Sequence, residues 1–314
     1  MTTTKRLDAA LSKLWPDGTE TLAEIPGIAM PMHMCLDSHG AVLKHGSATV
    51  FAKAFHKDAL TPYTFAGATE AAERAGEIGI GPQVLAADAA NQVLVFEYLD
   101  ADWRMAMVSD LQAGPLREAV VAAKRTWHAQ PALKTTLSPI SVADSLATQL
   151  EPRLDQGTLL FKGDLPFAQM RAVIESIGKA LAVAGIDLCP IHGENTVSNV
   201  MIKPDNSVKL VDFDRAVMAD PWWDIGALSL ELCRTEQERA ELVEIYAGHA
   251  DPALMARMKL YALIDDFIWA CWALLADDGS ETAGPELYKY ANNRLIRFGF
   301  HHDVFDIPSL LGEI

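Results

Sequence analysis

The sequence predicts an α+β fold in two lobes, with a small β-rich N-terminal lobe and a large helical C-terminal lobe. Three observations carry this prediction. Short apolar runs with turn signals fill much of the first hundred residues, helical patterns fill most of the rest, and one hairpin pattern interrupts the helical part. A chain of 314 residues, half of them hydrophobic, is long enough for two lobes with a sizeable core. We place the boundary between residues 99 and 100.

The N-terminal lobe begins with an amphipathic pattern at residues 6–15, which predicts a helix. Residues 48–55 (ATVFAKAF) predict a strand, and residues 83–88 and 92–98 predict two more around a turn. Between them, residues 64–78 are rich in alanine and glutamate and end before Gly79, which predicts a helix. Lys53 lies inside the apolar run of the first strand. It either reaches solvent from an edge strand or is an internal charge with a function.

The C-terminal lobe is predicted to be helical on both sides of one hairpin. The predicted helices cover residues 116–127, 141–154, 167–184, 225–234, 236–247, 252–276 and 285–298. The hairpin lies between the third and fourth of these helices.

This hairpin consists of the apolar runs 200–202 and 208–211 on either side of a Pro-Asp-Asn turn. It brings Glu194, Asn199 and Asp212 towards one point. Two carboxylates and an amide oxygen suit Mg²⁺, which prefers oxygen ligands and usually shares them with phosphate. The stretch from residue 189 to residue 224 therefore predicts a phosphoryl-transfer site.

Composition limits the partners and the compartment. The net charge of −16 argues against nucleic acid and anionic membranes as partners. The four cysteines are widely spaced and form no C-x-x-C pair, which predicts reduced thiols in a cytoplasmic protein. We expect no membrane insertion, because no run approaches the ~20 apolar residues of a membrane span. The sequence does not indicate the oligomeric state.

The motif around the hairpin resembles one that is specific to the aminoglycoside phosphotransferase and choline kinase superfamily. It reads His192-Gly193-Glu194, then Asn199, then Asp212-Phe213-Asp214, and continues into the segment 220–225 (DPWWDI). Residues 267–274 and 288–294 resemble segments of choline and ethanolamine kinases and favour that branch. The resemblance covers nearly the whole chain. It implies a protein-kinase-like fold, with residues 1–99 as the nucleotide-binding lobe and residues 100–314 as the helical lobe with the catalytic hairpin and the substrate site.

The resemblance implies ATP and Mg²⁺ as cofactors. Lys53 would contact the α- and β-phosphates of ATP, with Glu70 as its ion-pair partner and Glu73 as the second choice. Glu97 and Leu99 would lie in the hinge beside the nucleotide. A phosphate-covering loop is poorly marked: residues 27–32 contain one glycine, and residues 44–46 are a second candidate.

On the catalytic side, the resemblance assigns Asn199 and Asp212 to Mg²⁺, and Asp214 to the metal or the substrate. His192 is expected to be a scaffold for the loop rather than a base. Asp224 is expected to brace the loop by hydrogen bonding, as a buried carboxylate needs donors.

Glu194 departs from the family pattern, which has aspartate at this position to orient and deprotonate the acceptor hydroxyl. The extra methylene moves the carboxylate by about 1 Å, a displacement that can cost on the order of 10²-fold in rate. Three interpretations stay open: a base in a site reshaped around it, a slow or unusual kinase, and a nucleotide-binding pseudokinase.

The acceptor is expected to be a small molecule with a hydroxyl group, first choline or a related amino alcohol, with an aminoglycoside or another hydroxylated metabolite as the alternative. Aromatic rings beside carboxylates suit an ammonium group through cation–π contacts. The candidate residues are Trp269, Trp272, Tyr261 and Asp265. The alternative is core packing, because two tryptophans three residues apart on a helix are often part of a core.

Overall fold

The N-terminal part of the chain is built on one antiparallel sheet. The structure is a computed structural model that describes residues 1–29, 33–56, 61–112, 114–157, 165–277 and 285–314. Its first helix is α1 (Thr3–Leu14). The strands are β1 (Glu20–Ile25), β2 (Ser38–His45), β3 (Ala48–Phe55), β4 (Val84–Asp88) and β5 (Val93–Glu97), and α2 (Phe65–Glu77) lies between β3 and β4. The strand order is β1-β2-β3-β5-β4, and each neighbouring pair is antiparallel.

β3 is the central strand, and its two faces have different partners. Successive side chains of a strand point to opposite faces of the sheet. Val50 and Ala52 pack under Leu7 and other residues of α1. Lys53 and Phe55 point to the other face, where Phe55 joins the main core. Lys53 is therefore an internal charge and not an edge-strand lysine, which decides between the two interpretations of its position.

The helical part is arranged around one long helix. Its helices are α3 (Val108–Leu111), α4 (Pro115–His128), α5 (Pro139–Asp155), α6 (Phe167–Ala184), α7 (Pro221–Leu232), α8 (Glu236–Ala247), α9 (Pro252–Asp277), α10 (Pro285–Val304) and α11 (Ile307–Glu313). α9 packs against α5, α7 and α10. Residues 260–271 are all buried, as expected for a helix that is apolar on most of its faces.

Short strands complete the site region. β8 (Val200–Ile202) and β9 (Val208–Leu210) form the predicted hairpin, and β6 (Arg104–Met105) adds to it. β7 (Cys189–Ile191) pairs with β10 (Val217–Ala219), so the two ends of the catalytic segment are joined. The sequence did not predict β6, β7 or β10, because two or three residues carry too little periodicity.

The predicted fold class is confirmed, with a β-rich N-terminal part and a predominantly helical remainder. β5 ends at Glu97, two residues before the boundary at residue 99, and that boundary stays a prediction. Within the described ranges, no helix is long and apolar enough to cross a bilayer.

Candidate active site

A close backbone contact fixes the loop that carries Glu194. Gly193 has φ +79°, and a Cβ atom there would lie 2.4 Å from the carbonyl oxygen of Arg215. Only glycine fits this contact, since any side chain would collide with backbone. The loop after β7 is therefore pressed against the segment that leads into β10.

Asp224 holds the same loop in place through hydrogen bonds. Its fully buried carboxylate accepts hydrogen bonds from the backbone N–H groups of His192 (2.8 Å) and Gly193 (2.9 Å). It also accepts one from Asn195 Nδ2 at 3.0 Å and lies 3.0 Å from Nε2 of His128. Burial acts to raise the pKa of Asp224, but the nearby cation of Lys124 and the bond to His128 hold it well below the usual range. These bonds have the bracing geometry that the sequence predicts for this residue.

His192 is part of the scaffold and does not line the cleft. Its Nε2 atom lies 3.0 Å from the carbonyl oxygen of Val211, and its Nδ1 atom lies 2.7 Å from Nζ of Lys124. Burial and the Lys124 cation lower the pKa of His192 to about 3, so the ring is neutral. In the neutral ring that these partners favour, Nε2 donates to Val211 and Nδ1 accepts from Lys124.

Lys124 is a site residue that the sequence analysis missed. It is 1% exposed and lies 3.5 Å from the Asp224 carboxylate. A signal was present, because Val120, Val121 and Trp127 lie three or four residues away and share its buried helix face. A lysine at that spacing needs a buried partner, and Asp224 supplies it.

Lys53 joins the two parts of the molecule. Its Nζ atom lies 2.6 Å from Oδ1 of Asp212 and also binds the carboxylate of Asp214. Burial acts to lower the pKa of Lys53, but these two carboxylates raise it well above its usual value, so the ammonium stays charged. Burial acts to raise the pKa of Asp212, but the Lys53 cation outweighs this effect and lowers the pKa to about 2. Asp212 also has φ +72°, a strained backbone conformation for a residue with a side chain.

The predicted ion pair between Lys53 and Glu70 is wrong. Glu70 lies 3.1 Å from Arg74 and 3.6 Å from Lys134, and among the described residues the carboxylates that pair with Lys53 are Asp212 and Asp214. The physical reason is the orientation of α2, whose alanine stripe faces the core and leaves Glu70 beside that stripe. Glu73, the second choice, is exposed.

Asn199 and Asp212 line the same cleft, and a backbone hydrogen bond from Val211 N to Asn199 O (2.9 Å) holds their segments together. Among the residues described, no group of three or more histidine, cysteine, aspartate or glutamate side chains could hold a metal. Mg²⁺ bound through one or two carboxylates plus substrate phosphates does not need such a group. An amide oxygen beside an ionised carboxylate therefore fits Mg²⁺, and both residues remain predicted ligands. For Asp214, the contact with Lys53 suits the predicted role beside the metal, and contact with the substrate stays a prediction.

The two predicted hinge residues, Glu97 and Leu99, lie at and just after the end of β5. Glu97 accepts hydrogen bonds from Gln83 N (3.1 Å) and Lys209 Nζ (3.2 Å), so its side chain ties β5 to β9. Leu99 follows it, partly buried. Of the first phosphate-loop candidate, residues 30–32 lie outside the described residues. The second, residues 44–46, comprises the last two residues of β2 and the first residue of the turn into β3, and His45 stacks on Trp15.

Glu194 is held by a residue that the sequence analysis also missed. Its Oε1 atom accepts a 2.6 Å hydrogen bond from Nε of Arg215, and Nη2 of Arg215 lies 3.2 Å from Asp37. Burial raises the pKa of Glu194 to about 8, against the opposing effect of Arg215. Arg215 directly follows the Asp-Phe-Asp motif, but no spacing in the sequence indicates these long-range contacts.

Trp269 and Trp272 line the cleft, and their contact with the substrate stays a prediction. Their rings meet edge to face at 5.4 Å, and both lie edge to face with Tyr290. The cation over these rings is the chain's own Arg215, whose guanidinium carbon lies 4.4 Å from the Trp269 ring centroid and 5.3 Å from that of Trp272.

Two other predicted substrate residues are structural, and their assignment to the substrate is wrong. Tyr261 is fully buried, and its hydroxyl donates to Asp220 at 3.0 Å. Asp265 is 1% exposed, accepts from Trp223 Nε1 at 3.0 Å and pairs with Arg294. Both lie on the part of α9 enclosed by α7 and α10, whereas the tryptophans lie further along the helix, where the cleft opens.

This chain matches a known protein family in sequence and known kinase structures in fold. The model of the phosphotransferase enzyme family matches residues 56–261. A choline/ethanolamine kinase family protein from Mesorhizobium loti is 22% identical, with a TM-score of 0.72 and coverage of 99% of this chain and 98% of that chain. No curated protein matches the sequence.

Three further solved structures have the same fold. A choline kinase from Streptococcus pneumoniae is 19% identical, with a TM-score of 0.73 and coverage of 96% of this chain and 99% of that chain. A complex of that kinase with AMP has a TM-score of 0.72 at 18% identity, over 95% of this chain and 98% of that chain. An aminoglycoside phosphotransferase has a TM-score of 0.60 at 12% identity, over 99% of each chain. At these identities the likeness shows the fold, and the predicted two-lobed kinase-like architecture is confirmed.

Proposed function

This chain belongs to the phosphotransferase enzyme family, and on that premise we propose that it transfers the γ-phosphate of ATP to a hydroxyl group of a small molecule, with Mg²⁺ as cofactor. The contact between Lys53 and Asp212 carries the proposal. It joins a cation of the N-terminal sheet to a carboxylate that follows the catalytic hairpin, at 2.6 Å. Asp212 lies within the region that the family model matches, and Lys53 lies three residues before it. A partly buried pair of this kind lies where phosphate and metal meet in kinase-like sites.

On the nucleotide side, Lys53 binds the phosphates, while Asn199 and Asp212 supply metal ligands. Mg²⁺ held by these residues would neutralise phosphate charge during the transfer. The likeness to a kinase whose structure contains AMP supports nucleotide binding in this fold. Because two carboxylates hold Lys53 charged and in place, its ammonium is ready to meet phosphate oxygens without reorganisation.

On the acceptor side, Glu194 orients the hydroxyl and takes its proton. The hydroxyl oxygen attacks the γ-phosphorus in line, the bond to the bridging oxygen of ADP breaks, and the proton passes to the Glu194 carboxylate. The hydrogen bond from Arg215 fixes the position of that carboxylate. Of the three interpretations of Glu194, we favour a base in a site reshaped around it, because the glutamate has a dedicated partner.

Two groups of similar structures support two different acceptor classes. Likeness to choline and ethanolamine kinases supports an amino alcohol, and likeness to an aminoglycoside phosphotransferase supports a larger hydroxylated compound. The position of Arg215 over Trp269 and Trp272 argues against a cation at those rings.

We also propose a cytoplasmic location. All four cysteines are free thiols, and three of them have a pKa raised by burial to about 11 or 12. Unpaired structural thiols are typical of a reducing compartment.

The proposal is tested by measuring phosphoryl transfer from ATP to amino alcohols, aminoglycosides, sugars and polyols. We expect ADP and a phosphomonoester from the wild type with at least one acceptor. Glu194→Gln should lose on the order of 10²-fold or more in kcat/KM with unchanged affinity for Mg-ATP, because it removes the base alone. The matched control is Glu77→Gln, an exposed glutamate of α2, which should retain full activity.

Two outcomes contradict the proposal. If the wild type binds Mg-ATP but phosphorylates no acceptor, the pseudokinase interpretation is correct. If no nucleotide binds at all, the assignment of the cleft fails.

A further inference from the structure

We propose that Arg215 determines the acceptor class: its guanidinium fills the aromatic cage of the cleft, so that the enzyme phosphorylates an uncharged polyhydroxylated molecule rather than an amino alcohol. The cage consists of Tyr63, Trp269 and Trp272, and its two tryptophans also line the cleft. This inference rests on the proposed phosphotransferase function.

The geometry of the cage is that of a cation site whose cation is part of the chain. The guanidinium carbon of Arg215 lies 4.4 Å from the ring centroid of Trp269 and 5.3 Å from those of Trp272 and Tyr63. These distances are within the ≈ 6 Å range of cation–π attraction. The Arg215 side chain is 3% exposed, so it is enclosed by the rings and by its two carboxylate partners.

Arg215 is not readily displaced by a substrate ammonium. Its departure would leave Glu194 and Asp37 without their cation in a largely buried environment. Separating a buried ion pair is more costly than the gain from an ammonium–ring contact. A free ammonium group therefore competes poorly for the same ring faces.

The remaining charges of the cleft are also paired. Three carboxylates line it among the residues described: Glu194 and Asp37 pair with Arg215, and Asp212 pairs with Lys53. His33 also lines the cleft and is uncharged, because burial and the Arg294 cation lower its pKa to about 3. Each carboxylate on these walls thus already has a cation partner, so an acceptor ammonium would have to share a carboxylate with Arg215 or Lys53.

An uncharged polyol suits the groups that remain. Each carboxylate has lone pairs beyond those used by its arginine or lysine partner, and hydroxyl groups can donate to them. The rings of Trp272 and Tyr290 line the same cleft and offer apolar surface to the carbon skeleton of such a molecule. Sugars and sugar-like polyols combine these two properties.

The test compares choline with 3,3-dimethylbutan-1-ol, which replaces the charged nitrogen with carbon at nearly the same size. Binding is followed by tryptophan fluorescence in the full-length chain, so the readout does not depend on turnover. We expect no preference for choline in the wild type. Arg215→Ala empties the cage and should then prefer choline by about tenfold or more, as expected for an ammonium among several aromatic rings.

A matched control removes a cation from another tryptophan. Lys203 lies 4.9 Å from the ring of Trp103, away from the cleft, and Lys203→Ala should leave the choline preference unchanged. Circular dichroism establishes that each variant is folded.

Several results would overturn the inference. One is a wild type that prefers choline by about tenfold or more; another is a folded Arg215→Ala variant that gains no preference for choline. If the wild type binds neither compound, the result with Arg215→Ala decides. In the acceptor panel, turnover of uncharged polyols but not of choline supports the inference, and turnover restricted to charged acceptors overturns it. If no acceptor is phosphorylated, the proposed function fails, and the fluorescence comparison still tests the role of Arg215.

Discussion

Glu194→Asp tests whether the cleft is built around a glutamate. The substitution keeps the charge and withdraws the carboxylate by one methylene, about 1 Å, which is a displacement that costs on the order of 10²-fold when a catalytic group is misplaced. In the wild type, Oε1 of Glu194 lies 2.6 Å from Nε of Arg215. The shorter side chain leaves this contact stretched or broken.

The size of the effect follows from that one contact. A hydrogen bond to a charged group contributes about 1.5–3 kcal/mol. Its loss at the base corresponds to about 10- to 150-fold in rate, which agrees with the estimate from displacement. We therefore expect kcat/KM of Glu194→Asp to fall by about 10²-fold.

The assay measures kcat/KM with the best wild-type acceptor, together with the affinity for Mg-ATP. The affinity should not change, because Lys53 and Asp212 are untouched. Glu77→Asp, at an exposed position of α2, is the matched control. A Glu194→Asp variant as active as the wild type, or more active, would refute the reasoning and indicate that glutamate impairs an aspartate-based site.

Three further predictions concern the scaffold, the metal and the pH dependence. Asp224→Ala leaves Lys124 and the loop N–H groups without their acceptor, and should lower the free energy of unfolding by about 3–5 kcal/mol in chemical denaturation; a loss below about 1 kcal/mol contradicts the bracing role. Asp212→Asn weakens a metal ligand, so Mg²⁺ should no longer raise the affinity for ATP in calorimetry. Since Glu194 acts as a carboxylate and burial raises its pKa to about 8, kcat/KM should rise with pH and level off above that value, and Arg215→Gln should move this limb to higher pH. A profile that is flat from about pH 6 to pH 9 contradicts this assignment.

The catalytic hairpin could be predicted because its signals are local. Two apolar runs around a turn determine β8 and β9, and the motif residues lie at or near the ends of those strands. The position of Lys53 was also predicted from a local signal, since an apolar run of eight residues was enough to define β3.

The partner of Lys53 could not be chosen by charge alone. Glu70 has the correct sign and lies on the correct helix, but the rotation of α2 about its axis decides which residues face the cleft. Ala68, Ala71, Ala72 and Ala75 have helical spacing and form the buried stripe, and that pattern could have excluded Glu70 as the inward-facing residue.

Hydrophobic periodicity could not separate the cleft residues of α9 from its core residues. In α9, residues 260–271 are buried on every side, so no apolar stripe separates Tyr261 from Trp269. Arg215 meets Trp269 only because tertiary packing brings α9 beside the hairpin, across more than fifty residues of sequence. Contacts of that kind have no local signature.

The most direct test of the central claim is phosphorus NMR of the wild-type protein with ATP, Mg²⁺ and a panel of hydroxylated acceptors. We expect the γ-phosphate signal of ATP to be replaced by ADP and a new phosphomonoester, with no such product from Glu194→Gln. If the wild type produces no phosphomonoester from any acceptor, the claim that this cleft transfers phosphate to a small-molecule hydroxyl is contradicted.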